Sequence, residues 1–515
     1  MPIGRAHTVA MTGLDGRLVE IEADIGRGLP GMHIVGLPDT TLNEARDRVR
    51  AALRNSGHSW PVGRTTLALS PADLPKIGSH YDLGLACAIL ASASIIPATP
   101  AWGRTAVIGE LALDGRIRPV RGVLPAVSTA RASKCETAIV PTGNLDEASL
   151  VPGITVLGAS SLNSVISWCN GDDMLERPSA PRAPAPPRHP DLADVAGQDE
   201  ARFALEVAAA GAHPLLLQGA PGTGKTMLAH RLPGILPPLH PDEALEVTAI
   251  HSLLGEIPAG GTLVSSPPFV APHHSATMVS LIGGGSGIAR PGAVSRAHRG
   301  VLFLDECAEL SPRVLDTLRT PLEEGEVRIS RRGGVARYPA RFLLVLAANP
   351  CACAPRHEAD CTCTPTTLRR YRSRLSGPLL DRIDLGVRMW PAPAGGSLAG
   401  HPLTGHHSPG HETPETSHQV RQRVQAARDA ARERWKQLGC ATNSEVPGPV
   451  LRAQAAPGPR ARETLDTAMR QGLLSARGAD RALRVAWTIA DLEGATMPSR
   501  AHVEQALAYR LQHLR

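Results

Sequence analysis

The first residues in this chain that could do chemistry form a glycine-rich loop ending in lysine and threonine. The loop follows the apolar run 215–217, precedes a helix-like segment, and consists of Gly219, Ala220, Pro221, Gly222, Thr223, Gly224, Lys225 and Thr226. Glycines let successive backbone N–H groups turn towards phosphate oxygens, and the following helix adds its positive dipole end. In this pattern the lysine reaches the β and γ phosphates and the threonine hydroxyl binds Mg²⁺. The spacing therefore predicts a site for ATP and Mg²⁺.

A second reactive group is the acidic pair that ends the apolar run 301–304. Asp305 and Glu306 follow a predicted buried strand at its carboxyl end, the edge where α/β sheets bind ligands. We expect Asp305 to bind Mg²⁺ and Glu306 to polarise the attacking water, since phosphoryl transfer depends on positioning and charge neutralisation. A third apolar run, 342–347, leads to Asn349. Its amide either orients the same water or caps a turn before the next proline.

Four cysteines follow this third run with the spacing C-x-C-x₇-C-x-C. They are Cys351, Cys353, Cys361 and Cys363. Four thiolates so close together indicate a structural Zn²⁺ site, although the usual zinc spacing is C-x₂-C. A metal would order the polar segment between the two pairs, and reduced free thiols are the alternative.

The elements that must position these residues divide the chain into several domains, because 515 residues exceed one hydrophobic core. A proline, alanine and arginine tract and a second tract rich in glycine, proline, serine and histidine break all apolar periodicity. The middle part alternates short apolar runs with helical stretches, which predicts a parallel sheet covered on both faces. We divide the chain into an N-terminal domain 1–172, a linker 173–190, an α/β domain 191–390, a flexible loop 391–417 and a C-terminal helical domain 418–515.

Composition narrows the class of protein. Hydrophobic residues make up 42% and charged residues 20%, and no window approaches a membrane span. The N-terminus lacks a secretory signal, so a cytoplasmic location and free thiols are expected. The net charge of +6 is compatible with a nucleic-acid partner and equally with an ordinary basic enzyme. The histidines of the second tract lack fixed spacing and receive no metal role; they are at positions 401, 406, 407, 411 and 418.

Taken together, these elements resemble the Mg-chelatase-like AAA+ family known as YifB or ComM, over nearly the whole chain. The most specific blocks are APHHSATMVSLIGGG at 271–285, RPGAVSRAHRGVLFLDE at 290–306, SRLSGPLLDRIDL at 373–385 and LSARGADRALRVAWTIADL at 474–492. The resemblance implies an α/β P-loop AAA+ core with a helical lid, and a homohexameric ring that holds ATP between subunits. It also implies that Arg382 completes the neighbouring subunit's site. Arg481 then corresponds to the lid arginine that contacts the γ phosphate in its own subunit, with Arg477 and Arg484 as alternatives.

The resemblance further implies that an insertion at about 251–299 and a hairpin at 327–339 project towards the pore of the ring. The hairpin carries four basic side chains, Arg328, Arg331, Arg332 and Arg337. They are candidate contacts for the phosphates of single-stranded or branched DNA, and a solvated basic loop is the alternative.

Residues 1 to about 170 resemble the proteolytic domain of Lon, in PKIGSHYDLGLACAILAS and in GRIRPVRGVLPAVSTARASKCETAIVPTGN. Alignment with the Lon patterns places His80 at the serine nucleophile and Leu124 at the catalytic lysine. Ser79 lies one residue away, but without a nearby base its hydroxyl is inert. We therefore expect no peptidase activity and an α+β domain retained as a platform.

The preferred function is a DNA-stimulated ring motor that drives branch migration or unwinding and aids recombination of incoming DNA in natural transformation. One alternative is a protein-remodelling ATPase that uses the Lon-like domain to bind polypeptide. The other is the ATPase subunit of magnesium chelatase, against which the Lon-like domain argues.

Overall fold

The computed structural model describes residues 2–36, 40–74, 76–179, 189–257, 261–285, 289–331, 334–355, 360–391 and 415–512. Half of the predicted linker, 180–188, and most of the predicted loop, 392–414, lie outside these residues. So do Arg332 and four of the histidines named above. Among the described residues, no helix is both long enough and apolar enough to cross a bilayer.

The N-terminal domain is an α+β layer built on a mixed sheet. Its strands are β1 (Gly4–Thr12), β2 (Asp15–Gly26), β3 (Gly31–Val35), β4 (Arg64–Ser70), β5 (Thr105–Val107), β6 (Glu110–Leu111), β7 (Ile117–Arg118), β8 (Thr137–Pro141) and β9 (Thr155–Ala159). Its helices are α1 (Thr40–Asn55), α2 (Asp82–Ser92), α3 (Val123–Ala132), α4 (Leu145–Ala148) and α5 (Leu162–Asn170). The main sheet has the order β3-β4-β2-β1-β5-β8-β9. Helix α2 is apolar on every side and almost wholly buried, as expected for a helix packed inside a domain.

The packing of this domain continues past the predicted boundary at residue 172. Glu176 exchanges two backbone hydrogen bonds with Gly158, of 2.8 and 3.1 Å. Leu175 is buried in the same core. The start of the proline-rich tract therefore belongs structurally to the first domain.

The central domain contains the parallel sheet that the alternating pattern predicts. Its strands are β10 (Leu215–Gly219), β11 (Phe269–Val270), β12 (Gly283–Gly284), β13 (Arg290–Pro291), β14 (Val301–Leu304), β15 (Glu326–Arg331), β16 (Gly334–Pro339), β17 (Leu343–Ala348) and β18 (Leu385–Met389). Its helices are α6 (Asp199–Gly211), α7 (Lys225–Ala229), α8 (Leu232–Ile235), α9 (Pro241–Leu254), α10 (Met278–Ile282), α11 (Ala293–Arg296), α12 (Pro312–Asp316), α13 (Arg319–Glu324), α14 (Pro365–Arg372) and α15 (Gly377–Leu380). The sheet has the order β11-β14-β17-β10-β18, all parallel.

Strands β14 and β17 are buried on both faces, which explains why each reads as a continuous apolar run. In β17, Leu343, Val345 and Ala347 face one hydrophobic cluster. The alternate residues Leu344 and Leu346 face another. This alternation follows from the two-residue repeat of a strand. The predicted α/β fold class is confirmed.

The predicted insertion at 251–299 is not one continuous excursion. Strand β11 lies within it and pairs with β14 at the edge of the main sheet. The excursion is therefore split into a part before Phe269 and a part after Val270. Sequence reading missed this strand because only two of its residues pair.

The C-terminal region is helical, as predicted, and shares a core with the central sheet. Its helices are α16 (Ser417–Arg434), α17 (Gly448–Gln454), α18 (Pro459–Arg470), α19 (Ala476–Leu492) and α20 (Arg500–Gln512). Trp435 and Trp487 meet edge to face, with ring centroids 6.1 Å apart. Both belong to the hydrophobic cluster that contains Leu215 and Leu217 of β10. The lid is thus packed onto the sheet that carries the glycine loop.

The N-terminal domain contacts the central domain through α9 and the β15–β16 hairpin. The N–H of Gly122 donates to the carbonyl of Ser252 at 3.1 Å. Gly13 forms an isolated bridge with Arg337 in β16. The base of the hairpin therefore lies against the first domain.

Candidate active site

The glycine loop joins β10 to α7 and is shaped by glycines in conformations that other residues avoid. Gly222 and Gly224 have φ values of 80° and 92°. A Cβ at Gly219 would lie 2.6 Å from the carbonyl oxygen of Met389. The loop therefore needs glycine at these positions, both for its turn and for the close approach of strand β18.

The Lys225 ammonium lies within this loop. It donates to the carbonyls of Gly219 at 2.6 Å and Ala220 at 3.0 Å, and to Oδ1 of Asn349 at 3.2 Å. Burial lowers the pKa of Lys225 because the charged form is desolvated, while the nearby Asp305 and Glu306 oppose that shift. Asn349 follows β17, the neighbour of β10 in the sheet. The fold therefore brings the predicted lysine and asparagine together.

Thr226 and Asp305 form the part of the site that suits Mg²⁺. The Thr226 hydroxyl donates to Oδ2 of Asp305 at 2.6 Å. Two neighbouring oxygens of an octahedral Mg²⁺ complex lie about 2.9 Å apart, because each metal–oxygen bond is about 2.0–2.1 Å. A hydroxyl and a carboxylate oxygen are also ligands that this hard cation prefers. The residues present therefore fit the metal that the sequence implies.

Glu306 follows Asp305 in an unusual backbone conformation. Its φ is 47°, in the left-handed region that residues with a side chain seldom adopt. Such strain is characteristic of functional sites. The N–H of Glu306 donates to Oδ1 of Asp305 at 2.9 Å, which ties the two acidic residues into one turn.

The structure adds a partner for Glu306 that sequence analysis missed. Nδ1 of His274 lies 3.3 Å from Oε2 of Glu306, and both side chains are about half exposed. His274 follows the edge strand β11, which pairs with the strand that carries Glu306. The sequence does show two adjacent histidines, in the block 271–285 that resembles the family. Because β11 was not predicted as a strand of the sheet, the sequence did not indicate that these histidines lie near the acidic pair.

Replacing His274 by alanine is expected to raise ATP hydrolysis in the absence of any polymer by about two- to five-fold. The substitution removes a contact that holds the Glu306 carboxylate, and a hydrogen bond to a charged group contributes about 1 kcal/mol when half exposed. Steady-state phosphate release measures the effect. His33→Ala is the control, because His33 is exposed on β3 of the N-terminal domain, whereas the ring of His273 lies against that of His274 with centroids 4.0 Å apart. A fall in hydrolysis would contradict this interpretation and make His274 part of the catalytic arrangement.

Gln198 is a second contributor that sequence analysis overlooked. Its side-chain amide donates to the carbonyls of Trp390 at 2.6 Å and Thr223 at 3.4 Å. It precedes α6 and has a left-handed φ of 60°. Gln198 therefore fastens the glycine loop to the end of β18.

Arg382 and Arg481 lie at the opposite edge of the sheet. Arg481 donates to Oδ1 of Asp384 at 2.7 Å and to the carbonyl of Arg382 at 3.1 Å. Asp384 precedes β18, and its N–H donates to the carbonyl of Pro214, just before β10. A five-residue strand spans about 16 Å, so this edge is remote from the loop that follows Gly219. The structure therefore differs from the expectation that Arg481 contacts the γ phosphate of its own subunit.

A buried ionic network holds Arg481 in this place. Burial by itself would raise the pKa of Asp384, but Arg481 and His213 outweigh burial and hold that pKa below its usual range. Nδ1 of His213 lies 2.8 Å from the same carboxylate, and its Nε2 lies 2.8 Å from the Thr488 hydroxyl of α19. The network joins the sheet to the lid.

The two alternative lid arginines differ: Arg484 donates to the carbonyl of Val446 at 2.8 Å, and Arg477 is exposed.

Arg382 itself is almost buried. Its guanidinium donates to the carbonyl of Pro378 at 2.6 Å and to the carboxylate of Glu323. It lines a cleft of about 860 Å³ between the sheet edge and the helical domain. Arginines outnumber carboxylates in this cleft; they are Arg299, Arg341, Arg382, Arg428, Arg432, Arg481 and Arg484. Most of these arginines are paired with carboxylates of the same chain, such as Arg299 with Glu243 and Arg341 with Glu445, so an anion from outside the chain would have to replace those partners.

The four cysteines of the C-x-C-x₇-C-x-C segment converge in space. Their sulfur atoms all lie within 4.8 Å of one another. Hydrogen bonds from the thiols of Cys363 and Cys351 lower the pKa of Cys353 to about 6. The predicted cluster is thus assembled beside the active-site end of β17.

The hairpin arginines occupy different environments. Val327, Ile329, Ala336 and Tyr338 are buried on one face, which leaves Arg328 and Arg337 on the other. Arg331 lies on the same side of β15 as Val327 and Ile329, because side chains alternate along a strand. Arg328 and Arg337 are directly opposite each other across the two strands. Arg328 contacts Glu326 and lies 3.6 Å from Glu324, so much of its charge is compensated. Arg331 is exposed near the tip, where Arg332 lies outside the described residues.

The residues of the supposed protease dyad do not form one. Leu124 is fully buried among apolar side chains. His80 lies 3.0 Å from the carbonyl of Val9. The hydroxyl of Ser79 donates to the Glu110 carboxylate, and the buried ammonium of Lys76 donates to the carbonyl of Pro71. The sequence did not predict the contact between Ser79 and Glu110. Absence of peptidase activity stays a prediction.

Three family models match the chain, one for each structural region. The model described as magnesium chelatase, subunit ChlI, matches residues 191–395. The model described as subunit ChlI of Mg-chelatase matches residues 21–144. The C-terminal model of the same subunit matches residues 414–510.

Three full-length relatives give the same result. An uncharacterized protein of Mycobacterium tuberculosis is 56% identical over 513 residues, which is 99% of each chain. YifB of Escherichia coli, itself uncharacterized, is 41% identical over 99% of this chain and 97% of its own. Competence protein ComM of Haemophilus influenzae is 40% identical over 99% of this chain and 98% of its own.

Proposed function

This chain belongs to the family of YifB and ComM, and from this premise we propose that it is a cytoplasmic, ring-forming ATPase that moves along DNA. Its ATPase domain is of the magnesium-chelatase ChlI type. The proposed reaction is hydrolysis of ATP to ADP and phosphate. The proposed outcome is unwinding or branch migration that helps incoming DNA recombine during transformation.

The observation that carries the ATPase proposal is the convergence of the predicted residues at three adjacent strand ends. Strands β14, β17 and β10 are neighbours. They bring Asp305, Asn349 and Lys225 to one edge. The glycine loop and Lys225 would hold the phosphates, and Thr226 with Asp305 would hold Mg²⁺, which neutralises phosphate charge when bound. Glu306 would polarise the attacking water.

The ring proposal rests on the position of Arg382. Within its own chain it lies across the sheet from the glycine loop, in the arginine-rich cleft. A second copy that presents its loop at this cleft would receive the arginine, and repetition of this head-to-tail contact closes a ring. The same placement makes Arg481 a second candidate for contact with the neighbour's phosphates. We propose a homohexamer.

DNA as the polymer is supported by the exposed face of the β15–β16 hairpin. Arg328 is already paired with Glu326 and Glu324, whereas Arg337, opposite it on the exposed face, is the better placed of the two to contact a DNA phosphate. Arg331 is exposed near the tip of the hairpin and is the second candidate contact. The relative ComM of Haemophilus influenzae is named a competence protein, which fits the same polymer.

The test is steady-state ATP hydrolysis with forked DNA, single-stranded DNA or casein. DNA is expected to stimulate hydrolysis several-fold and casein to have no effect. Arg331→Ala and Arg337→Ala are each expected to weaken DNA binding. Each should also make the slope of the logarithm of the binding constant against the logarithm of salt concentration shallower by about 0.7–0.9. Arg460→Ala, which removes an exposed arginine from α18, is the matched control.

Other results would favour the other two functions. Stimulation by casein alone would indicate protein remodelling through the N-terminal domain. ATP-dependent insertion of Mg²⁺ into a porphyrin would indicate a chelatase subunit. Binding of DNA with no salt dependence would contradict contact through phosphates.

A further inference from the structure

The cysteine cluster lies on the chain segment that joins the two edges of the central sheet. Cys351 lies two residues after Asn349, and Cys363 lies two residues before α14. Helix α14 leads through α15 to Arg382. The cluster therefore lies on the segment that connects a residue beside Lys225 with a residue at the opposite edge of the sheet.

The sulfur positions match one tetrahedral metal. The Sγ of Cys351 lies 3.4 Å from that of Cys353 and 3.5 Å from that of Cys361. Cys353 and Cys361 are 3.6 Å apart. A zinc ion with bonds of about 2.3 Å to four sulfurs sets every pair about 3.8 Å apart. These separations also exceed the S–S bond length of about 2.05 Å, so the four sulfurs are free thiols rather than disulfides.

The backbone after Cys353 also forms a tight turn. The N–H of Ala354 donates to the carbonyl of Cys351 at 3.2 Å, from a left-handed conformation with φ of 45°. This conformation costs free energy for a residue with a Cβ, so another interaction must hold the turn.

Four thiolates at this separation repel one another unless a cation lies among them. An iron–sulfur cluster places inorganic sulfides and more than one iron between its cysteines, and so needs wider spacing than the 4.8 Å seen here. Zn²⁺ is the common partner of four closely packed thiolates. Each bound thiol would lose its proton to solvent, leaving a complex of net charge −2. The N-terminus of α14, capped by Thr364, lies next to Cys363 and partly balances this charge.

We propose that Cys351, Cys353, Cys361 and Cys363 bind one Zn²⁺ in a tetrahedral, all-thiolate site. The ion fastens the segment after Asn349 to the start of α14. The end of that helix is held separately, because Arg374 donates to the carbonyl of Ala308 at 2.9 Å and to Glu309 at 2.8 Å. The zinc site thus fixes the start of α14, and the Arg374 contacts fix the chain after α14 to the turn that follows Glu306. Together they connect that turn with Arg382. This inference does not depend on DNA being the polymer.

The experiment measures metal content of the full-length protein purified without added metal. Plasma mass spectrometry is expected to find one zinc per chain. A Cys353→Ser, Cys363→Ser double variant is expected to lose it and to unfold at a lower temperature. This pair is chosen because Cys351 is buried and its loss would disturb packing. Cys169→Ser and Cys440→Ser, at cysteines outside the cluster, are the controls and should retain the zinc.

A second measurement applies if the double variant does not fold. Wild-type protein unfolded with chelator and refolded with Co²⁺ should show the visible absorption of tetrahedral cobalt with thiolate ligands. Wild-type protein that contains neither zinc nor cobalt bands would overturn the proposal. So would one iron per chain, or zinc retained in full by the folded double variant.

Discussion

Replacing Lys225 by alanine is expected to reduce ATP hydrolysis by about 100- to 1,000-fold. Its ammonium lies inside the glycine loop, 3.2 Å from Oδ1 of Asn349. In the proposed site it would stabilise charge on the transferred phosphoryl group, and loss of one such donor in a water-poor site costs this much. Phosphate release gives the rate, and binding of a fluorescent ATP analogue separates loss of affinity from loss of chemistry.

Lys436→Ala is the matched control for this experiment. Lys436 is largely exposed and pairs with Glu433 on the surface of the helical domain. The control should hydrolyse ATP like the wild type. Thermal unfolding of both variants checks that loss of the buried lysine has not unfolded the domain. A folded Lys225→Ala protein with a rate within threefold of the wild type would contradict the proposed site.

Replacing Arg382 by alanine is expected to lower the rate of hydrolysis by about 1,000-fold or more while ATP still binds. An arginine supplied to the phosphates of a neighbouring subunit contributes this much to phosphoryl transfer. The glycine loop of the variant is intact, because Arg382 lies across the sheet from it. Arg470→Ala, on the exposed surface of α18, is the control for loss of an arginine.

Mixing two inactive variants distinguishes action within a chain from action between chains. In an equal mixture of Lys225→Ala and Arg382→Ala subunits, about a quarter of the sites combine an intact loop with an intact neighbouring arginine. Hydrolysis should therefore recover to about a quarter of the wild-type rate. Two different affinity tags verify that the subunits have mixed. A verified mixture that stays as inactive as its components would show that Arg382 does not serve the neighbouring site.

The sequence by itself determined the fold class of the central domain and predicted the residues that we propose hold phosphate at one edge of its sheet. The loop 219–226 and the pair Asp305 and Glu306 are continuous segments attached to apolar runs. Their chemistry depends on neighbours along the chain, so spacing alone was sufficient. The parallel sheet then followed from strands that are apolar on both faces, as β14 and β17 are.

The tertiary structure alone decided which distant side chains meet. His274 contacts Glu306 because the short strand β11 pairs with β14, and two paired residues leave almost no periodic signal. Arg481 pairs with Asp384 because α19 packs at the amino end of the sheet, a choice of edge that the amphipathic pattern of a helix does not encode. The compensation of Arg328 by Glu326, and the meeting of the four sulfurs, likewise depend on how the chain turns between them. The sequence predicts which helix or strand a residue belongs to. Which charged side chain it pairs with depends on how elements that are far apart in sequence pack together.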